Sequence, residues 1–294
     1  MKILILGARG RLAAALASGW GRDHSVTALA RPELDVADVG GLRSLLQKHH
    51  FDVLVNGTGL TNVDSCESSR DEARAVNALA PAIMAEAART KNVRLIHFST
   101  DYVFDGAKTA PYTEADPPNP LGWYGKTKLD GELAVLADDP RHLVVRVSWV
   151  FGPDKPAFID ALIERARTNT RVEAIADKIS SPTFACDVAG WLAPFFDPGL
   201  PGGIYHACNA GSCSWRDYGE FALRCASEAG APLATTLVAP IRLADMKSFV
   251  APRPPLTALS TEKLVGVTGL RPRPWEDAVR QYIQSKYAPV PPSS

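Results

Sequence analysis

A short apolar run at the start of the chain leads directly into a glycine-rich turn. Residues 2–6 read KILIL, and Gly7, Gly10 and Ala13 follow with the spacing G-x-x-G-x-x-A. Gly7 permits a tight turn, Gly10 lets a phosphate approach the backbone, and Ala13 keeps the next helix close to the sheet. The free N–H groups of that helix would then face the phosphate. The junction predicts a dinucleotide-binding α/β fold, with a plain turn as the alternative.

The first half of the chain alternates short β-rich runs with helical patterns. The further β-rich runs are Ser25–Ala30, Val53–Asn56, Arg94–Ser99 and His142–Val147. The helical patterns are Leu12–Gly19, Val39–His49, Asp71–Thr90 and Trp123–Ala137. The β-rich runs are apolar with little alternation, as in strands that are buried on both faces. We therefore predict a Rossmann-type, doubly wound parallel sheet with right-handed crossovers.

After about Phe151 this rhythm breaks and prolines become frequent. Helices are still expected near Ala157–Arg167 and Trp215–Ala229. We predict a NAD(P)-binding Rossmann domain over residues 1–151, completed by a later segment at roughly 184–210. Residues 152–288 would mainly form a smaller α/β substrate lobe, and residues 289–294 a flexible tail.

The charge balance and the cysteines narrow the class of protein. Lys plus Arg and Asp plus Glu both number 32, so a bulk electrostatic interaction with nucleic acid is not expected. No apolar stretch reaches the roughly 18 residues of a membrane span, and the first residues do not read as a signal peptide. The five scattered cysteines lack the paired spacing of a zinc site and suggest reduced thiols. We expect a cytoplasmic protein with no metal site and no membrane or nucleic-acid partner.

The end of the second predicted strand bears on the choice of nicotinamide cofactor. NAD-binding sites place an acidic residue there to hold the ribose hydroxyls, but this sequence has Arg31. Arg31 and Arg9 would suit the 2′-phosphate of NADPH, since a guanidinium binds phosphate oxygens well. Asp35 follows closely and could instead contact the adenine or the ribose, so NADH stays open. For each arginine the alternative is a solvated surface charge.

Hydroxyl side chains end the fourth predicted strand, and a Tyr–Lys pair follows further along the chain. Ser99 and Thr100 lie where parallel α/β sheets bind ligands. Tyr124 and Lys128 are four residues apart and therefore share one helix face. We expect the Lys128 ammonium to lower the pKa of Tyr124 and so tune the phenol as a proton donor for carbonyl reduction. A YxxxK pattern is common by chance, but the glycine turn and the strand-end hydroxyls make it more specific.

Over nearly its whole length the chain resembles the extended short-chain dehydrogenase/reductases and, within them, the dTDP-4-dehydrorhamnose reductase family. The runs STDYVFDG and SWVFG point to this family, whereas YxxxK points only to the superfamily. Other matching stretches are Val55–Asp64, Tyr124–Glu132, Ser180–Thr183, Gly203–Gly219 and Arg253–Leu264. The resemblance implies NADPH-dependent reduction of the 4-keto group of a nucleotide-linked 6-deoxy sugar, dTDP-4-dehydro-L-rhamnose first among them.

The resemblance also implies catalytic and cofactor-binding residues. Tyr124 would be the proton donor, Lys128 its partner, and Thr100 would take the place of the superfamily's catalytic serine. The expected cofactor-binding residues are Gly7, Arg9, Gly10, Arg11, Leu12, Arg31, Asp35, Val36, Gly57, Thr58, Gly59, Ser99, Tyr124 and Lys128.

Substrate contacts are expected from three further residues. The resemblance implies that Asp101 and Trp149 contact the sugar, with core packing as the alternative for Trp149. Arg253 is the candidate for the nucleotide diphosphate, because a guanidinium fork suits phosphate oxygens. Trp215 and Tyr218 are expected to pack a helix rather than to bind base or sugar.

Some positions depart from the family pattern. The family's run NAAA is replaced by Asn56–Gly59, which reads NGTG and changes how the cofactor would be held. Some relatives form a magnesium-bridged dimer through a glutamate near the first helix, where this chain has Ala13–Ala15. A magnesium-bridged dimer is therefore not expected, and monomer or homodimer both stay open. His97 is expected to be a buried strand residue. Asn77 is expected either to tie the catalytic helix through a water or to form simple structural hydrogen bonds.

Two alternatives to the leading function remain at this stage. One keeps the chemistry but changes the substrate to another nucleotide-linked deoxyhexose. The other is a non-catalytic NADP-binding regulatory subunit, since the β subunit of methionine adenosyltransferase resembles the same family. The presence of Thr100, Tyr124 and Lys128 favours an enzyme that turns over substrate.

Overall fold

Six parallel strands form the central sheet of the computed structural model, which describes residues 1–287. These strands are β1 (Lys2–Leu6), β2 (Ser25–Leu29), β3 (Val53–Asn56), β4 (Arg94–Thr100), β5 (Leu143–Val147) and β10 (Gly203–His206). Their order across the sheet is β10-β5-β4-β3-β1-β2, and every neighbouring pair is parallel. The predicted Rossmann-type sheet is confirmed. The tail predicted at residues 289–294 lies outside the described residues.

The sheet is covered by helices on both faces because its strands are apolar on both. In β1, Ile3 and Ile5 pack into one core cluster and Leu4 and Leu6 into another, all at most 1% exposed. Successive strand side chains point to opposite faces, so an apolar run without polar alternation requires two covering layers.

The helices within the described residues are α1 (Arg11–Trp20), α2 (Val39–Lys48), α3 (Val63–Ser68), α4 (Arg70–Arg74), α5 (Ala80–Thr90), α6 (Trp123–Asp138), α7 (Phe158–Ala166), α8 (Ala185–Leu192), α9 (Trp215–Glu228), α10 (Glu262–Thr268) and α11 (Trp275–Tyr287).

The single helix predicted over Asp71–Thr90 is divided into three pieces. A π-helical turn, Ala75–Leu79, separates α4 from α5. Pro81 lies in the first turn of α5, where its missing N–H is tolerated. A π turn inserts an extra residue and is frequent at functional sites. Here it aims the buried side chain of Asn77 toward α6, which the periodicity of the sequence does not reveal.

The second half of the chain builds a separate apolar core from short elements. Its strands are β6 (Val150–Phe151), β7 (Val172–Ile175), β8 (Ile179–Ser180), β9 (Thr183–Phe184), β11 (Cys213–Ser214) and β12 (Val238–Ile241), which pair as β6–β9, β8–β11 and β7–β12. Phe151, Leu162, Tyr218 and Tyr282 belong to the core that these strands share with α7, α9 and α11. The division at residue 151 stays a prediction. No helix within residues 1–287 is long and apolar enough to cross a membrane.

Helix α6 lies unusually close to its neighbours because two of its residues are glycines. A Cβ atom on Gly125 would lie 2.2 Å from the carbonyl oxygen of Tyr102, in a 3-10 turn after β4. A Cβ atom on Gly131 would lie 2.2 Å from the carbonyl oxygen of Asn77 in the π turn. Side chains of any size at these two positions would move the helix away from the sheet.

We therefore expect Gly131→Ala to lower the free energy of unfolding by about 1–3 kcal/mol, as overpacking of a tight contact does. Gly190→Ala is the matched control, since Gly190 also lies in a helix but a Cβ atom there meets nothing within 4 Å. The stability of the control should be unchanged or higher by up to about 1 kcal/mol, because Ala has a higher helix propensity than Gly by about this amount. Urea unfolding measures both. Equal stability of the two variants would contradict the close packing of α6.

Candidate active site

The turn between β1 and α1 forms a cradle with a glycine at each end, Gly7 and Gly10. Gly7 has a φ of +93°, and its amide donates to the carbonyl of Leu29 at 2.8 Å. A Cβ atom at Gly7 would lie 2.8 Å from the carbonyl carbon of Gly57, so only glycine fits. Gly10 is the N-cap of α1 and has no side chain that could cap the helix. The first amides of α1 are therefore left for an anion.

This turn opens into a cleft of about 820 Å³ at the carboxyl ends of the strands. All fourteen predicted cofactor-binding residues line the cleft, as do Thr100, Asp101 and Trp149. Other lining residues that were not predicted include Leu60, Thr61, Val63, Glu72, Val76 and Lys155. The glycine turn, the end of β4 and the start of α6 thus line one cleft. Parallel α/β sheets typically bind their ligands in a cleft at this edge.

The Tyr–Lys pair lies at the end of β4. Tyr124 and Lys128 are 8% and 3% exposed, and the Lys128 ammonium donates to the carbonyl of Phe98 at 2.6 Å. The ring of Tyr102 packs edge-on against Tyr124 with centroids 5.7 Å apart. The Thr100 hydroxyl donates to Asp101 Oδ1 at 3.1 Å. A phenol, an ammonium and a hydroxyl therefore surround the same part of the cleft.

Burial dominates the protonation of this pair. It raises the pKa of Tyr124 well above that of a free tyrosine, and the interaction with the Thr100 hydroxyl acts in the opposite direction. The expected lowering of the Tyr124 pKa by Lys128 is therefore wrong for the cleft as described. Burial also lowers the pKa of Lys128 to about 8, against an opposing contribution from Glu132. Lys128 directs its ammonium to the backbone carbonyl of Phe98.

Asp101 is buried and collects hydroxyl donors from four parts of the chain. Its Oδ2 accepts from Ser148 at 2.9 Å, from Ser180 at 3.2 Å and from Thr257 at 2.6 Å. Thr100 donates to its other oxygen. These bonds compensate the cost of burying a carboxylate. Asp101 thus lines the cleft while it joins the ends of β4 and β5 to the second half of the chain.

Trp149 follows β5 with a φ of +40°, which a bulky residue rarely adopts. Its indole contacts Trp215 at 5.6 Å and Tyr218 at 6.0 Å between ring centroids. Its buried N–H has no partner within residues 1–287. Trp149 therefore both packs against the second core and faces the cleft, while Tyr218 packs α9 as expected.

The predicted basic residues differ in what they contact. Arg11 lines the cleft, but its guanidinium donates to the carbonyls of Val150, Lys155 and Pro156, so it anchors the chain after β6. Arg31 is exposed and lies 3.4 Å from Asp35, which keeps both the NADPH and the NADH interpretations open.

Arg253 does not line the cleft. Its guanidinium pairs with Asp64 at 2.8 Å and lies over the ring of Phe249 at 4.5 Å. Asp64 also accepts from the amides of Val250 and Ala251 at 3.0 and 2.8 Å. The strap, defined here as residues 246–253, is therefore fastened to α3 by one carboxylate.

Asn77 and His97 support the site from separate elements of the chain. Asn77 bonds directly to Thr127 on α6 at 3.2 Å and to both backbone groups of Leu60, which favours the structural interpretation of this residue. His97 is fully buried in β4 as expected, and contacts the Asn56 amide at 2.9 Å. No spacing in the sequence links these positions, because three separate elements bring them together.

Glu132 is a further buried group behind the pair. It accepts from Ser99 and forms a two-bond ion pair with Arg146 at 2.9 and 2.6 Å. Its position one turn after Lys128 was a usable signal, since residues four apart share a helix face.

A parallel six-stranded sheet with a glycine turn after its first strand, and a buried Tyr–Lys pair in the cleft at its carboxyl edge, define an NAD(P)-dependent oxidoreductase. The comparisons with known proteins narrow this class. The chain belongs to the family described as RmlD substrate binding domain, which matches residues 1–288.

Named relatives of this chain cover almost all of it. The dTDP-4-dehydrorhamnose reductase of Mycobacterium tuberculosis is 36% identical over 278 residues, 92% of this chain and 89% of that protein. A probable dTDP-4,6-dihydroxy-2-methyloxan-3-one 4-ketoreductase of Streptomyces antibioticus is 35% identical over 285 residues, 96% of this chain and 94% of that protein. The crystal structure of a dTDP-4-dehydrorhamnose reductase from Clostridium acetobutylicum superposes with a TM-score of 0.89 at 30% identity, covering 97% and 99% of the two chains.

We expect Asp64→Ala to loosen the strap, because it removes two hydrogen bonds to backbone amides and the partner of Arg253. Trypsin should then cleave faster after the exposed Lys247, as measured by mass spectrometry of the early fragments. Asp23→Ala, the removal of an exposed carboxylate elsewhere, serves as control and should leave the cleavage rate unchanged. Equal cleavage of both variants would show that Asp64 does not hold the strap.

Proposed function

We propose that this protein is an NADPH-dependent reductase of the 4-keto group of a nucleotide-linked 6-deoxy sugar, with dTDP-4-dehydro-L-rhamnose as its substrate. The observation that carries the proposal is the meeting of Tyr124, Lys128 and Thr100 with the glycine turn in one cleft. The relative from Mycobacterium tuberculosis and the structure from Clostridium acetobutylicum, both named dTDP-4-dehydrorhamnose reductases, support this choice of substrate.

The cradle fits a dinucleotide. Gly7 and Gly57 let the turn pack tightly, since a Cβ atom at Gly7 would meet the backbone of Gly57 and one at Gly57 would meet Ala13. The amides at the start of α1 suit a pyrophosphate. Arg9 and Arg31 line the end of the cleft where a 2′-phosphate would lie, and Asp35 and Val36 lie beside them. The bound cofactor would supply hydride to the keto carbon.

The protein's own groups handle the proton and the developing charge. Tyr124 stays protonated because it is buried, so it holds a proton to donate as negative charge forms on the keto oxygen. Thr100 stabilises the same charge through its hydroxyl, and Lys128 stabilises the phenolate that remains. Since the three groups are buried, water competes weakly with these interactions.

The sugar and its diphosphate would lie between the sheet and the second half of the chain. Trp149 offers an indole face and an unpartnered N–H to the sugar. Asp101 contributes Oδ1, which accepts only the Thr100 hydroxyl within the described residues. Arg253 would bind the diphosphate after exchanging Asp64 for phosphate oxygens, which a guanidinium binds equally well in a forked geometry.

A second candidate keeps the same chemistry on a different deoxy sugar. The relative from Streptomyces antibioticus supports it, because it is named a 4-ketoreductase of another dTDP-linked sugar at 35% identity. The ratio of kcat/KM for the two dTDP sugars with the purified protein distinguishes these candidates.

We expect the wild-type protein to oxidise NADPH in the presence of dTDP-4-dehydro-L-rhamnose, and Tyr124→Phe to lower kcat by about 10²- to 10⁴-fold. This is the range that general-acid catalysis contributes. NADPH should still bind to the variant in a fluorescence titration, because the glycine turn and the first amides of α1 are untouched. Tyr287→Phe is the matched control, since the Tyr287 hydroxyl has no partner within residues 1–287 and lies outside the cleft.

Two results would contradict the proposal. If Tyr124→Phe keeps the wild-type rate, Tyr124 is not the proton donor. If the wild-type protein binds NADPH tightly but oxidises none with either sugar, the non-catalytic regulatory alternative replaces the enzyme.

We expect Arg31→Ala to raise KM for NADPH by about tenfold or more, because one charge-assisted contact with the 2′-phosphate is lost. KM for NADH, which lacks this phosphate, should stay unchanged. Arg22→Ala removes an exposed arginine outside the cleft and serves as control. Steady-state kinetics with both cofactors measure the effect. A wild-type preference for NADH would refute the role of Arg31 and favour Asp35 as a ribose ligand.

A further inference from the structure

A buried ionic network lies directly behind the catalytic pair. Glu132 on α6 and Arg146 on β5 are each 1% exposed, and their side chains form two hydrogen bonds at 2.9 and 2.6 Å. The hydroxyl of Ser99 at the end of β4 donates to the same carboxylate. The network therefore ties α6 to both strands whose ends form the floor of the cleft.

We propose that Glu132 is a positioning residue, which acts on the reaction through Lys128 and Ser99 without touching substrate. The carboxylate lies one helical turn beyond Lys128, on the face that packs against β4. A fixed negative charge at this position keeps the Lys128 ammonium charged and directed at the carbonyl of Phe98, which neighbours Ser99. The proposal rests on the proposed function only in assigning Lys128 a part in catalysis.

Stability alone is a weak explanation for this ion pair. Burying two charges costs several kcal/mol per ion, and apolar replacements of both partners are often neutral or stabilising. Arg146 is itself incompletely satisfied, since its Nη1 has no hydrogen-bond partner within residues 1–287 and its guanidinium lies over the ring of Phe104 at 5.0 Å. What the pair does supply is a carboxylate held in a fixed position one helical turn from Lys128.

The other titratable groups that face Lys128 cannot replace Glu132. Cys66 approaches from α3, but burial raises the pKa of this thiol to about 11. His97 approaches from β4, and burial lowers the pKa of its imidazole far below neutrality. Both are therefore uncharged near pH 7. Burial lowers the pKa of Lys128 to about 8, while Glu132 raises it.

The opposing contributions of burial and Glu132 to the pKa of Lys128 determine the direction of the expected pH effect. Without the carboxylate, burial and the remaining charge of Arg146 would lower the pKa of Lys128 further. A reaction that needs the ammonium would then lose rate at a lower pH, so the basic limb of the pH profile should move toward acid. The acidic limb should not move.

The test uses Glu132→Gln, which keeps the shape and the acceptor oxygen but removes the charge. Lysine labelled with ¹³C at Cε reports the titration of Lys128 by NMR without substrate, and Lys128→Arg assigns the resonance. We expect the midpoint of Lys128 to fall by about one pH unit or more, and the basic limb of kcat/KM to fall with it. Asp130→Asn is the matched control, an exposed carboxylate on the same helix, and should shift neither.

A second variant covers the case in which Glu132→Gln leaves Arg146 unpaired and does not fold. Glu132→Gln combined with Arg146→Met removes both charges. The double variant should also lower the titration midpoint of Lys128, but by less than Glu132→Gln alone. An unchanged midpoint in the variant that folds overturns the proposal, even if activity falls, since a merely structural role lowers the rate equally at all pH values. Because the NMR titration needs no turnover, the failure of the proposed function would leave this result readable.

Discussion

The site depends first on the close approach of α6 to the sheet. Gly125 and Gly131 leave no side chain between this helix and the carbonyls of the 3-10 turn and the π turn. Tyr124 precedes one glycine and Lys128 lies between the two, so both side chains are carried to the end of β4 by backbone contact. A backbone contact of this kind cannot be shortened further, because the interior is already close-packed. The position of the phenol and of the ammonium is therefore set by packing.

A second constraint joins the two halves of the chain at the same place. The buried carboxylate of Asp101 receives hydroxyls from Ser148, Ser180 and Thr257, which come from the end of β5, from β8 and from the segment before α10. Buried carboxylates are tolerated only where such donors are present. The second half of the chain thus completes the cleft by donating hydrogen bonds to a carboxylate of the first half, and that network sets the geometry of the cleft around Asp101.

The sequence predicted the parts of this structure that depend on local pattern. Apolar runs located the strands, and the spacing of Tyr124 and Lys128 placed both on one helix face. The sequence did not reveal that Arg253 pairs with Asp64, which lies 189 residues earlier, since no local signal links the two residues. The expected direction of the Tyr124 pKa was also wrong, because burial raises this pKa and the degree of burial is decided by tertiary packing, which the motif does not show. The π turn escaped prediction for a related reason, as its apolar periodicity still resembles one continuous helix.

Burial shifts the pKa values of Tyr124 and Lys128 in opposite directions with the same consequence. It raises the pKa of Tyr124 and lowers that of Lys128 to about 8, and so favours the neutral form of each. In the reaction that we propose, Lys128 must keep its charge to stabilise a phenolate, so groups that oppose the effect of burial are needed. Thr100 does this for the phenol and Glu132 for the amine. The functional unit that we propose is therefore longer than the YxxxK pattern, and extends one further turn along α6 to a carboxylate that is paired with Arg146.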